Sequence, residues 1–285
     1  MADIIVTCDS TADLPLEVRE KYNIHVIPLG VTLGGKTYAD GVDITPDEVY
    51  AHHDKTGELP KTTAANVGDL IEFFTPFVKE GKTVIHFPIS SEMSSTYNNA
   101  LLAASELENV YVVDSRNLST AIGLIVLATV EAVQNGMPLE DVLENAKQLV
   151  KCADASFVID NLEYLHKGGR CSSVAMLGAN LLKLKPCIDV TNGKMAVSKK
   201  YRGKYSDVLK QYVSERLSDI DNIDLHRVFI THAGCSDEIV NAVYEQVKAT
   251  ADFEDIIICR AGCTVSSHCG ANTLGVLVIR KSPKA

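Results

Sequence analysis

The residues best suited to chemistry in this sequence are alcohols. In the stretch HFPISSEMSSTYNNA, Ser90, Ser91, Ser94, Ser95 and Thr96 crowd the point where an apolar run ends and a helical pattern begins. A helix amino terminus leaves backbone N–H groups unpaired and carries a partial positive charge, so it suits a small anion. One hydroxyl suffices to cap a helix, and five within seven residues exceed that need. LPKTTAAN adds Thr62 and Thr63, and VSSHCGANT adds Ser266, Ser267, His268 and Thr273. Brought together, these three loops would form a pocket of neutral donors with one imidazole. Such a pocket matches a carboxylate better than a pyrophosphate, which wants close-approach glycines and a Lys or Arg.

Two other chemistries use the same residues. With Ser94 as nucleophile, His268 as base and Asp9 as orienting carboxylate, the chain would hydrolyse a small acyl ester, although no glycine-flanked GxSxG elbow is present. Cys259, Cys263, His268 and Cys269 cluster in sequence, but their spacing fits no zinc template and there is no CxxC pair, so no metal site is expected. GxxxxGK[ST], GxGxxG, HExxH and an EF-hand loop are also missing, which argues against a nucleotide or metal cofactor.

The elements that must position these groups alternate. Ile4 to Cys8, Thr83 to Ile89 and Val110 to Val113 read as buried strands, with helical patterns between them. Thr45 and Glu48 make a capping box with Pro46 at the first helical position. HVIPLGVTLGGKTY reads as a strand entering a Gly34-Gly35 turn, and Pro76 must kink or end the amphipathic Val67 to Val78 segment. The second half adds a hairpin turning at Asn192-Gly193, helices at Tyr205 to Leu217 and Asp237 to Thr250, and the strands RVFIT, DIIIC and TLGVLVIR. The expected fold is α/β with two domains: a parallel α/β/α sheet domain over 1–155, then a mixed-sheet α/β domain over 156–285, with a ligand between them.

The 285 residues suit two domains. The formal charge of −10 discourages nucleic acid and anionic membrane surfaces as partners, and the absence of Trp leaves no platform for stacked bases. No export signal is visible and the longest apolar stretch, Leu118 to Val133, is too short to span a bilayer. A cytoplasmic protein with reduced thiols is expected.

Several strings, in order along almost the whole chain, resemble the DegV family of bacterial fatty-acid-binding proteins, the FakB component of a fatty-acid kinase system. They are DSTADLP from Asp9 to Pro15, the Thr62-Thr63 loop, ISSEMSSTY, VVDSRNLS, LEYLHKGGR and SHCGANTLGV. The resemblance implies that a long-chain fatty acid lies in a buried tunnel and that a separate kinase subunit phosphorylates its carboxylate to an acyl phosphate for phospholipid synthesis. The chain itself would break no bond and need no cofactor. Thr62, Ser94 and His268 match the residues that hold the carboxylate, with Thr63 and the Ser95 N–H beside them. Arg170 matches a residue that engages the kinase, and Arg202 lies where some members carry a basic residue near the head group.

The sequence departs from the family pattern in places: Thr63-Ala64-Ala65 replaces the usual Ser-Gln-Pro, and Glu92 and Ser95 stand where glycines are usual. The last loop also lacks one usual Gly. In such a site, burying roughly sixteen methylenes would supply about 13 kcal/mol gross. A charged His268 and the hydroxyls would offset the cost of burying the carboxylate. VAMLGANLLKL and the AIGLIVLATV helix are candidates for tunnel lining or for ordinary core.

Overall fold

The computed structural model describes residues 3–175 and 184–283. Strand β1 (Ile4–Asp9) opens the chain and is buried at nearly every position. It is followed by α1 (Leu16–Tyr22), β2 (His25–Ile27), β3 (Gly30–Leu33), β4 (Lys36–Ala39), α2 (Pro46–Thr56), β5 (Lys61–Thr63) and α3 (Val67–Lys79). Next come β6 (Thr83–Phe87), α4 (Thr96–Ser105), β7 (Val110–Val112), α5 (Thr120–Gln134) and α6 (Leu139–Cys152). β2, β1, β6 and β7 form a four-stranded sheet in that order, parallel throughout. The long HVIPLGVTL strand expected from sequence is two strands: β2 ends before Pro28, which has no N–H to give a ladder. β3 then joins β4 and β5 in a small antiparallel sheet.

The second half contains β8 (Ala153–Asp154), β9 (Ser156–Ile159), α7 (Glu163–Gly168), α8 (Ser172–Ala175), β10 (Lys185–Thr191), β11 (Lys194–Tyr201) and α9 (Tyr205–Arg216). β12 (Ile223–Ala233), α10 (Asp237–Thr250), β13 (Asp255–Arg260), α11 (Cys263–Cys269) and β14 (Thr273–Arg280) complete it. Its sheet runs β11-β10-β9-β14-β12-β13 with β8 on β14. Only β12 and β13 pair in parallel, so the sheet is mixed. This sheet takes up the chain at Ala153, ahead of Ala155. Asp154 fixes that junction, accepting from Arg216 at 2.5 Å and Arg280 at 2.6 Å in a buried cluster.

Helix α5 is buried on almost every side, as its uniformly apolar sequence requires. It is core, and it belongs to one continuous cluster that includes Val6 and Phe87 from the first sheet and Phe157 and Leu277 from the second. Packing is close enough that a Cβ at Gly123 would lie 2.7 Å from Leu14 Cδ2. Among the described residues, no helix is long and apolar enough to cross a membrane.

Candidate functional site

Thr62 sits on β5, not in a loop. Its place is set by backbone pairing of Val31 with Thr62 and Gly30 with Thr63. A Cβ at Gly30 would meet Thr63 Oγ1 at 2.1 Å, so only glycine allows this pairing. Just past Thr63, Ala65 is buried and its carbonyl accepts from Asn99 Nδ2 at 2.7 Å. His268, expected in a loop, lies on helix α11. Thr62 Oγ1 and His268 Nε2 stand 2.8 Å apart across 206 residues of chain.

The serine turn divides its hydroxyls between architecture and cavity. Ser90 Oγ donates to Gly193 O at 2.8 Å, and Ser91 Oγ donates to Asp114 Oδ2 at 2.5 Å. Arg116 donates to Ser91 Oγ and Asn192 O, and Glu92 pairs with Lys194 at 3.2 Å. Ser90, Ser91 and Glu92 thus bind the turn to its neighbours and to the β10–β11 hairpin. Ser94 Oγ accepts from Thr96 N at 3.2 Å, a local serine turn one residue ahead of the N-cap Ser95. The excess of hydroxyls therefore has a largely structural account. Only Ser94 and Ser95 of the group face the cavity, and the Ser95 N–H finds no acceptor among the described residues.

That cavity, of about 380 Å³, is lined at its polar end by Thr62, Thr63, Ser94, Ser95, Arg170 and His268. Its apolar walls come from Leu29, Ile89, Met93, Leu118, Met195 and Val265. Leu118, Val265 and Cys269 are shared with a smaller, mainly apolar pocket bounded by Phe157, Ala233 and Leu277, deep against the second sheet. Of the two apolar segments read as either lining or core, the AIGLIVLATV helix contributes to neither pocket and is core, and VAMLGANLLKL lies almost wholly outside the described residues.

Burial first, and the Arg170 charge second, push the His268 imidazole down to about 4. It is therefore neutral near pH 7. With no carboxylate neighbour among the described residues, the ring has left water without a compensating charge. Its Nδ1 is buried without a partner among the described residues, and a Cβ at Gly168 would lie 2.6 Å from that atom. Gly168 is thus a close-approach residue, whereas Gly169, at φ 69°, is the helix stop. Arg170 is exposed at the rim and donates to Gly168 O at 2.8 Å.

Arg202 is not among the lining residues. It is exposed just beyond Tyr201, at the far end of β11 from Met195, and a strand of that length separates the two by roughly 20 Å. The hydrolase constellation is not assembled either. Ser94 Oγ bonds to Thr96, His268 Nε2 to Thr62, and Asp9 accepts from Thr11 and from Ile89 N at 2.8 Å. Cys259 Sγ donates to Asp13 O and Cys263 Sγ to Ile44 O, so the clustered cysteines point apart. No group of three or more potential metal ligands gathers among the described residues.

Thr264 was not anticipated. The residue lines the cavity, and its hydroxyl is buried with no partner among the described residues. It precedes His268 by four residues, a spacing that puts both on one helix face, and reading the segment as a loop hid that relation.

Fold and cavity together define an α/β protein with a parallel sheet, a mixed sheet and a small antiparallel sheet, and a pocket built from both halves. The chain belongs to the DegV family, matching the family described as "uncharacterised protein, DegV family" over residues 3–281. It is 30% identical to a DegV domain-containing protein of Staphylococcus aureus over 283 residues, covering 99% of this chain and 100% of that one. A fatty-acid-binding DegV family protein from Thermus thermophilus superposes with a TM-score of 0.90 at 28% identity, covering 98% of this chain and 99% of that one. A stearic acid-binding protein from Eubacterium ventriosum gives 0.86 at 28% identity, with 99% of each chain covered.

Proposed function

We propose that this chain binds a long-chain fatty acid with its carboxylate at Thr62, Ser94 and His268, and presents that carboxylate to a separate kinase. The observation that carries the reading is the convergence of those residues, from three distant parts of the chain, on one cavity whose remaining walls are largely apolar. The head needs donors, because an unpaired buried carboxylate costs several kcal/mol. Placing the imidazole proton on Nε2 leaves a lone pair on the enclosed Nδ1, which the Arg170 cation favours. Nε2–H then donates to Thr62 Oγ1, and the threonine hydroxyl proton turns to the ligand. Ser94 Oγ and the Ser95 N–H complete the donor set. Thr63 closes the same side.

The chain has no phosphate-cradling loop, so phosphoryl transfer belongs to a partner. Arg170, exposed at the rim of the cavity, is the group through which the kinase engages. In that role the protein is a cytoplasmic carrier feeding acyl phosphate to phospholipid synthesis. Denaturing extraction of the purified chain followed by lipid mass spectrometry tests the reading, with about one fatty acid per chain as the expected result. A chain that yields no fatty acid and gives no heat on titration with palmitate would refute it.

A further inference from the structure

We infer that Asp40, with Asp13 beside it, is a positioning residue for this pocket: the two carboxylates hold the amino end of α11 and thereby set where His268 stands against Thr62. The inference rests on the fatty-acid reading above. Gly262 N donates to Asp13 Oδ1 at 2.8 Å, Cys263 N to Asp40 Oδ1 at 2.7 Å and Thr264 N to Asp40 Oδ2 at 3.1 Å. The first N–H groups of a helix have no acceptor within it. Here they are met by side chains at least 223 positions away in sequence.

Those side chains come from the turn after β1 and the end of β4, in the half of the chain that also carries Thr62. The helix bearing His268 is thus registered on the unit bearing its partner. Asp40 is itself steered by Ser10 Oγ, which donates to Oδ2 at 2.9 Å and accepts from Leu29 N at 3.1 Å. Asp13 accepts from Ser119 Oγ at 2.6 Å. The approach is tight, since a Cβ at Gly262 would lie 3.1 Å from Asp13 Oδ1 and 3.2 Å from Asp40 Oδ1.

This is an expensive way to cap a helix. Asp9, Asp13 and Asp40 are all buried, and none makes an ion pair among the described residues. A Ser or Asn on the helix itself would satisfy its end without removing carboxylates from water. What the arrangement supplies beyond a cap is register between the halves. α11 spans only about 10 Å, so a shift at its first turn reaches His268 undamped.

A double-mutant cycle separates positioning from general stability. Asp40→Asn, which leaves one acceptor for two N–H groups, is expected to weaken palmitate binding about tenfold in isothermal titration. In a His268→Ala background the same change is expected to shift affinity less than twofold. The imidazole ¹⁵N signals of His268 in the unliganded Asp40→Asn protein are expected to lose their single-tautomer pattern. Should Asp40→Asn not fold, Ser10→Ala loosens the carboxylate without removing an acceptor, and its smaller loss must likewise vanish in the His268→Ala background. Equal losses in both backgrounds, or unchanged affinity and imidazole signals, overturn the inference while leaving the fatty-acid reading intact. A wild-type chain that does not bind palmitate overturns both.

Discussion

Among the described residues, two threonine–histidine side-chain pairs occur, one buried and one half-buried, and only the second borders a cavity. Thr7 and His86 are register neighbours on β1 and β6, with Thr7 Oγ1 2.9 Å from His86 Nδ1. Thr62 and His268 meet at 2.8 Å from opposite ends of the chain. Both imidazoles are pushed down by burial, His86 to about 3 and His268 to about 4, and each keeps one nitrogen without a partner. Around His86 the space is filled by Phe73 and Phe74, with ring centroids 6.4 and 5.1 Å away. Around His268 it is open, and Arg170 stands at the rim. A perturbed histidine paired with a hydroxyl therefore does not mark a site by itself. The empty volume beside the pair does, together with donors that have nothing inside the protein to bond.

That contrast can be broken most forcefully at His86. His86→Ala leaves a hole in packed core and should cost about 3 kcal/mol of stability in chemical denaturation, with palmitate affinity within twofold of wild type. Comparable loss of affinity would erase the distinction. Thr62→Val should do the reverse, weakening palmitate binding by roughly 10- to 150-fold, about 1.5–3 kcal/mol, while the denaturation midpoint barely moves. Gly168→Ala drives a methyl against His268 Nδ1 and should lower affinity about tenfold, although alanine is the better helix former.

Acid titration sharpens the comparison further. Both histidines bind protons less readily folded than unfolded, so their contribution to stability is complete above about pH 6.5 and declines as the pH falls. The loss approaches about 1.4 kcal/mol per pH unit for each histidine and continues to about pH 4 for His268 and about pH 3 for His86. Palmitate should raise the NMR-detected pKa of His268 and leave that of His86 unmoved. The smallest effect on binding is expected at Arg170: Arg170→Ala should keep palmitate affinity within twofold, let the His268 pKa rise, and abolish acyl-phosphate formation with the kinase. Equal loss of binding would make Arg170 part of the pocket.

Where local chemistry decides the structure, the sequence was legible. Thr45 and Glu48 form the expected capping box on α2, α10 runs from Asp237 to Thr250 as read, and Asn192 and Gly193 take the positive φ values of a tight hairpin turn. The family strings led to Thr62, Ser94 and His268, which do line one cavity. Readings failed where distant residues decide. CTVSSHC is a poor helix former, yet it is helical with its amino end held by Asp13 and Asp40 from the other half of the chain. The serine turn looked like a single anion site because no local rule reveals that Ser90 is engaged by Gly193 and Ser91 by Asp114. Arg202 was placed by analogy, and β11 carries it away from the cavity.

The seam between the serine turn and the β10–β11 hairpin has a mechanical consequence. Ser90 and Arg116 grasp main-chain oxygens of Asn192 and Gly193, and Met195, two residues beyond, forms part of the cavity wall. One side of the chamber is therefore a ribbon from the second sheet, buttoned to the first. Since α5 sits in an apolar core that runs without a break through both halves, swinging them apart would tear that core open. Widening the chamber on the Met195 side asks only that a few buttons come undone.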